Sequence, residues 1–316
     1  MLDVRRLKVL REVASLGSFS AAAERLGYSQ PAVSQQITAL ERETGSTLLE
    51  RGARGVRLTD AGRALVEHSD AILARVAAAE QELEAIAGLQ GGRLRLSSFA
   101  TAGATLVPLA IAEFSRRHPA VDLTLIEVDE PEQAIPKLKG GELDIALTFE
   151  YSSLPSSFYE SIYEDIETVH LLDDPMYIAL SQDHPLARRR KLRLADLAGD
   201  PWVQGDCKGV CGRMHIAACE AAGFEPRVGF ESDDYNVVQG LVAAGVAVSL
   251  IPELALTNVR DDIVIRGLGT EAPIRRVAAA TLEGGYRSPA VEAMLEILQE
   301  AAEQYSARSR AASVAA

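Results

Sequence analysis

Cysteine is scarce in this chain of 316 residues, with three in all. So few thiols exclude the disulfide framework that holds small secreted domains together. Long apolar runs are missing too. The longest, near Val242 to Ile251, is interrupted by Gly245 and Ser249, and a membrane span needs roughly 20 apolar residues. The first residues are charged (Asp3, Arg5, Arg6, Lys8) and lead into an amphipathic pattern. No signal peptide or membrane partner is therefore expected, and the chain is expected in the cytoplasm. Catalytic fingerprints are also lacking. Ser98-Phe-Ala-Thr-Ala-Gly103 has no dinucleotide-loop glycine spacing, and neither a Gly-x-Ser-x-Gly elbow nor His-Glu-x-x-His occurs. Neither an enzyme nor a cofactor is expected.

Positive charge is in deficit, with 32 Lys and Arg against 45 Asp and Glu. Spread evenly, that balance would repel nucleic acid. It is not spread evenly. Residues 1–58 hold nine basic against six acidic side chains, while the remainder holds 23 against 39.

The basic segment contains Phe19-Ser-Ala-Ala-Ala-Glu-Arg-Leu-Gly-Tyr-Ser-Gln-Pro-Ala-Val-Ser-Gln-Gln-Ile-Thr-Ala-Leu-Glu41. Ala21 to Ala23 are small enough for a second helix to approach, and Gly27 suits a helix end that needs positive φ. Ser29 can cap the next helix, with Pro31 in its first turn. Val33, Ile37 and Leu40 share one face, which leaves Gln30, Ser34, Gln35 and Thr38 elsewhere. Uncharged amides and hydroxyls are suited to reading base edges in a major groove. The segment reads as a helix-turn-helix. Leu48-Leu-Glu-Arg51-Gly-Ala-Arg54-Gly-Val-Arg57-Leu-Thr follows, punctuated by Gly52 and Gly55. It reads as a hairpin wing whose Arg51, Arg54 and Arg57 reach phosphate or a minor groove.

With these residues the chain resembles the LysR-type transcriptional regulators. The matching pieces are Leu7 to Val13, Ser18-Phe-Ser-Ala-Ala-Ala23, Leu26, Ser29-Gln-Pro-Ala-Val-Ser34, Gln36-Ile37, Leu40-Glu41 and Leu58-Thr-Asp-Ala-Gly-Arg63. One departure is Leu49-Glu-Arg51, where the family more often has Leu-Phe-x-Arg. The DNA-binding set expected is Ser29, Gln30, Pro31, Ser34, Gln35, Thr38, Arg51, Arg54 and Arg57.

Residues 60–90 read as a linker helix. Leu65, Ile72, Ala79 and Ile86 are spaced by seven, as are Ser69, Val76 and Leu83, offset by four. That is an a/d seam, and it predicts a homodimer. A dimer also suits DNA reading, because one helix-turn-helix reads only half of a palindrome. The resemblance further implies tetramers built as dimers of dimers.

Beyond Gly91-Gly92 strands alternate with helices. Strands are expected at 93–98, 121–128, 143–149, 169–172, 176–180, 227–230, 246–250 and 277–282. Helices are expected at 106–118, 132–139, after Cys207, at 234–244 and at 289–305. This is the pattern of parallel α/β units. Phe114-Ser-x-x-His-Pro119, Leu138-x-x-Gly-Glu-Leu-Asp-Ile-Ala146, Ala222-Gly-Phe-x-Pro226 and Val242-x-x-Gly-Val-x-Val-x-Leu-Ile-Pro252 resemble the family's effector domain, itself similar to periplasmic binding proteins.

The fold class implied is α/β with an N-terminal all-α winged helix-turn-helix, a long linker helix and two α/β effector subdomains. The boundaries expected are 1–59 for the head, 60–90 for the linker and 91–306 for the effector domain. Within the last, subdomain I takes about 91–166 and 268–306, and subdomain II about 167–267. A disordered tail is expected at 307–316, which is all small residues and Arg.

A small-molecule effector is expected in the cleft where strand ends of both halves meet. Its candidate contacts are Ser97, Ser98, Phe99, Thr101, Asp129, Glu130 and Phe149 from the first half. Gln204, Asp206, Ser232 and Asp233 come from the second. The family often carries Ser or Thr where this chain has Asp129-Glu130, which favours an amine-bearing or neutral polar effector. Cys207, Cys211, His215 and Cys219 recur every four residues. Four ligands on one straight helix cannot surround one metal tetrahedrally, so no metal is expected. Sensing of oxidants or metal through Cys207 and Cys211 is the alternative, and Cys219 reads as core.

Overall fold

A serine at one end and a glycine at the other define the second helix of the head. In this computed structural model, which describes residues 2–52, 55–86 and 92–315, the helix α1 (Val4–Leu16) precedes α2 (Phe19–Leu26) and α3 (Gln30–Thr44). The Ser18 side chain accepts from Ala21 N, and Ser29 accepts from Ala32 N. Gly27, at φ 67°, turns the chain in a conformation that side chains disfavour, and its N–H caps Ala23 and Glu24 carbonyls. Ala22 and Ala23 are buried, so α2 and α3 pack closely as the small residues predict.

The hairpin β1 (Leu49–Gly52) and β2 (Gly55–Leu58) follows, with Gly52 opposite Gly55. The Glu41 carboxylate ties it to α3 by accepting from Leu48 N at 2.9 Å. The helix α4 (Asp60–Ile86) then begins with Leu65, Val66 and Ile72 packed on the head's core. The N-terminal part of the expected seam is thus used within the chain itself. Its later members, Ala79 and Leu83, are exposed. Residues 87–90 of the expected linker lie outside the described residues.

Two compact units emerge. One is Met1–Gly92 with Pro136–Asp144 and Gly284–Ser288, and the other is the remainder. In the second unit β3 (Arg93–Ser98) lies parallel between β4 (Asp122–Glu127) and β5 (Ile145–Tyr151). The helices α5 (Ala100–Gly103), α6 (Leu106–Arg117), α7 (Pro131–Lys139) and α8 (Ser156–Glu160) connect them. The strand β6 (Ile166–Ser181) runs through both halves of the module, where two separate strands were expected. Its first part pairs with β11 (Ile274–Leu282), and its second with β9 (Ser249–Pro252) and β10 (Ile263–Gly267). The apparent break at Asp173-Asp174-Pro175 is absorbed because Asp174 is buried in an ion pair and Pro175 stays in register with Ile274.

The second half adds the parallel pair β7 (Pro201–Gln204) and β8 (Arg227–Glu231), with α9 (Val210–Ala221) and α10 (Tyr235–Ala243). Val203 bonds across to Val248, which joins this pair to β9. Leu94, Leu96, Ile145, Leu147 and Phe114 fill the first core, while Val203, Val238, Val242 and Ile251 fill the second.

The last helix, α11 (Pro289–Ala315), runs on over Ser306 to Ala315, the stretch expected as a tail. Ala and Arg are strong helix formers, so a helix already anchored by Met294, Leu298 and Ala302 propagates cheaply.

Candidate functional site

In the head, α3 turns Val33, Ile37 and Leu40 inward, all buried, and this fixes which side chains face out. Ser29, Gln30, Pro31, Gln35 and Thr38 are exposed, and Ser34 is half-buried. The Thr38 hydroxyl donates back to the Ser34 carbonyl at 2.9 Å. Arg57 is exposed on β2. The Arg51 side chain and all of Arg54 lie outside the described residues. Tyr28, 51% exposed at the turn before α3, is an aromatic that the sequence reading passed over. Its position beside the Ser29 cap was the available signal.

In the second unit the strand ends converge on a cleft holding about 510 Å³ of empty space, part of it open to solvent. Phe99, Thr101, Asp129, Glu130 and Phe149 line one side, and Gln204, Ser232 and Asp233 the other. Three expected residues fall elsewhere. Ser97 and Ser98 are buried in β3, and the Ser98 hydroxyl donates to the Phe99 carbonyl. Asp206 is exposed, and its carboxylate accepts from Lys208 N. Alternation decides this: residues inside β3 face a core on either side of the sheet, and the cleft opens only past the strand's end.

Arg275, Tyr235, Cys211, His215 and Leu250 line the cleft as well, and the sequence reading missed them as cleft residues. Arg275 is 2% exposed and donates to Asp174 at 2.6 and 2.9 Å and to the Thr101 hydroxyl at 2.8 Å. Its guanidinium stacks over Phe99 and Phe149, with 4.8 and 5.3 Å to the ring centroids. Burial pushes the Asp174 carboxyl up and the adjacent guanidinium pulls it back. Arg275 keeps its proton at any ordinary pH, so the pair is ionic. The available signal was an Arg at a register position shared with Val277 and Ala279, both buried.

The Asp129 carboxylate accepts from Ala100 N at 3.0 Å, at the start of α5. Glu130 reaches across to α9 and accepts from Val210 N at 3.1 Å. A side chain at Gly205 would collide with Asp233, and one at Gly209 would come within 2.7 Å of Glu130, so both glycines are spacing requirements of this lining. Burial first, then the neighbouring Glu132 and Asp233 charges, pushes the Glu130 carboxyl up to about 7. Burial and the charges of Asp129, Asp206 and Glu231 raise Asp233.

The cysteines separate. Cys207 is exposed ahead of α9, Cys211 is half-buried at the cleft, and Cys219 sits in the core. Burial, then the Glu130 charge, raises the Cys211 thiol to about 12, and burial raises Cys207 and Cys219 too. His215 is buried between the Cys211 and Leu250 carbonyls, at 2.9 and 3.2 Å, and burial lowers its pKa.

A winged helix-turn-helix head and an α/β ligand-binding module on one chain define a class, the DNA-binding transcriptional regulators. Residues 4–63 match the bacterial regulatory helix-turn-helix protein, lysR family, and residues 87–303 match the LysR substrate binding domain. The chain belongs to the LysR family of transcriptional regulators, which are not enzymes. It is 31% identical over 306 residues to the probable HTH-type transcriptional regulator LrrA of Synechococcus elongatus, covering 95% of this chain and 98% of that protein. The hydrogen peroxide-inducible genes activator of Dickeya chrysanthemi is 30% identical over 316 residues, covering 98% of this chain and all of the relative. Full-length CbnR, solved with its target DNA, matches with a TM-score of 0.54 and 25% identity over 95% of this chain and all of that one. Among the described residues no helix is long and apolar enough to cross a membrane.

Proposed function

We propose that this regulator binds an interrupted palindromic operator as a dimer, or as tetramers of such dimers, in the cytoplasm. A small molecule held in the cleft of the effector domain modulates that binding. Gln204 carries this reading. It lines the cleft, is 2% exposed, and among the described residues neither its amide nitrogen nor its amide oxygen has a hydrogen-bond partner. Buried polar groups are nearly always paired, and leaving one bare is costly. A ligand in the cleft supplies what Gln204 lacks. Contacts to Thr101 on one half and to Gln204 on the other favour one arrangement of the halves. A useful shift in operator preference needs coupling on the order of 1–3 kcal/mol.

At the DNA, Gln30, Ser34 and Gln35 read base edges, while Arg51, Arg54 and Arg57 engage backbone or minor groove. The exposed amides on α3 and the likeness to a regulator solved on its target DNA support this docking.

Thiol sensing is the second reading, since one relative is a hydrogen peroxide-inducible genes activator. The thiols argue against it. Oxidant-sensing cysteines are thiolates, and all three here are held toward the protonated form. The test begins by selecting operator fragments with the full-length protein. The small-metabolite fraction of the host should then change operator affinity for the parent and for Cys207→Ser with Cys211→Ser, but not for Gln204→Leu. Loss of the response in the cysteine variant, with operator binding intact, transfers sensing to the thiols.

A further inference from the structure

The carboxylates of the cleft already occupy the backbone donors that would greet an anion. Asp129 takes the Ala100 N–H at the start of α5, and Glu130 takes the Val210 N–H at the start of α9. The Asp233 carboxylate accepts the Asp206 N–H. The cation lining the cleft, Arg275, is neutralised by Asp174 behind it. Among the described residues three carboxylates then remain, with Asp129 and Asp233 exposed at the rim and Glu130 deeper. An anionic effector would meet this charge with its natural partners taken. A cation would be drawn to the mouth and compensated inside.

Gln204 refines the chemistry. Its bare amide oxygen asks for an N–H donor, and its bare amide nitrogen asks for an acceptor. Phe99, Tyr235 and Val238 supply apolar wall beside it.

We propose that the effector is a small organic cation, an amine or guanidine of net positive charge that also carries an oxygen acceptor. Its N–H groups are received by Glu130, Asp233 and the Gln204 carbonyl, and its oxygen accepts from the Gln204 amide. This rests on the cleft being the sensor, and adds the ligand's charge.

The test is thermal unfolding and calorimetric titration of the full-length protein near pH 8 with two sets of probes. The cations are ethanolamine, glycinamide, argininamide and lysinamide, and the acids are glycolate, succinate and benzoate. At least one cation should raise the unfolding temperature by about 2–4 °C, and no acid should. Glu130→Gln with Asp233→Asn should weaken that cation about tenfold or more, and so should Gln204→Leu; operator binding of each variant reports on its fold. Stabilisation by an acid that Gln204→Leu abolishes overturns the cationic class and leaves the cleft as sensor. Binding of any probe that none of these variants alters places the ligand outside the cleft. No stabilisation by any of the four cations also overturns the proposal.

Discussion

The groups that α3 offers to a partner come from one short stretch, Gln30 to Thr38; Gln30, Gln35 and Thr38 stand exposed and Ser34 half-buried because Val33 and Ile37 pin the helix's other face. The cleft is assembled from α5, β5, β7, α9, α10, β9 and β11 and from the turns after β3, β4 and β8, and its Gln204 and Arg275 are buried. The two regions also differ in charge, since the basic excess lies in residues 1–58 and the cleft is acidic. A reading surface on one helix survives changes elsewhere as long as that helix packs. A cleft built from distant segments depends on every long-range contact that sets their spacing. The head should therefore yield to single substitutions as loss of specificity, and the cleft as loss of stability or response.

The largest effect expected is in the cleft's floor. Asp174→Ala leaves Arg275 buried and unpaired, at a cost of about 3–5 kcal/mol in urea unfolding. Replacing both, Asp174→Leu with Arg275→Met, should recover most of that loss. A single variant as stable as the parent would mean the pair is not what holds β6 to β11.

In the head, Gln30→Ala or Ser34→Ala should relax discrimination at one or two operator positions, each by about 1–3 kcal/mol. Arg54→Ala should weaken all sequences alike and flatten the dependence on salt. Binding measured against a library of operator variants separates the two behaviours. An unchanged preference for Gln30→Ala would put the docking face on another side of α3.

Between the regions, Leu83 is 67% exposed on α4, so Leu83→Asp should leave the single chain folded. Across a dimer seam it should cost about 1.5–3 kcal/mol of apolar burial and weaken cooperative binding to paired half-sites. Sedimentation at micromolar concentration checks it, and an unaltered dimer removes Leu83 from the seam.

The smallest effect depends on pH. The unfolded chain releases the Glu130 proton in the ordinary carboxylate range, whereas the folded chain holds it up to about 7. Between those values stability falls as pH rises, and the full penalty is present above about 7. Glu130→Gln should therefore stabilise the ligand-free protein by about 1 kcal/mol at pH 8 and leave it nearly unchanged at pH 4. Equal effects at both pH values would mean that the gain does not come from the Glu130 charge.

The same contrast explains what was legible. Caps, glycines and apolar spacing in α2 and α3 act within a few residues, so Ser29, Gly27 and Val33 announce their roles locally. Strand ends point to Asp129, Glu130, Phe149, Gln204 and Asp233 because alternation of strand and helix reveals where a parallel strand stops. Arg275 and Tyr235 enter the cleft only through the pairing of β11 with β5 and β6 and the packing of α10, which no local pattern encodes. Ser97 and Ser98 stand near a strand end yet inside β3, where the face of the strand decides whether a side chain reaches the cleft. The helical run of the tail follows from its small residues, which extend a helix anchored upstream without a core of their own.

The most direct test of the account is made in the host, on the promoter the protein occupies, under growth conditions that induce it. Transcription is followed for the parent, for Gln204→Leu and for Cys207→Ser with Cys211→Ser, with promoter occupancy measured alongside. The cysteine variant should respond as the parent does, while Gln204→Leu should stay bound and lose the response. A silent cysteine variant beside a responsive Gln204→Leu would contradict sensing in the cleft.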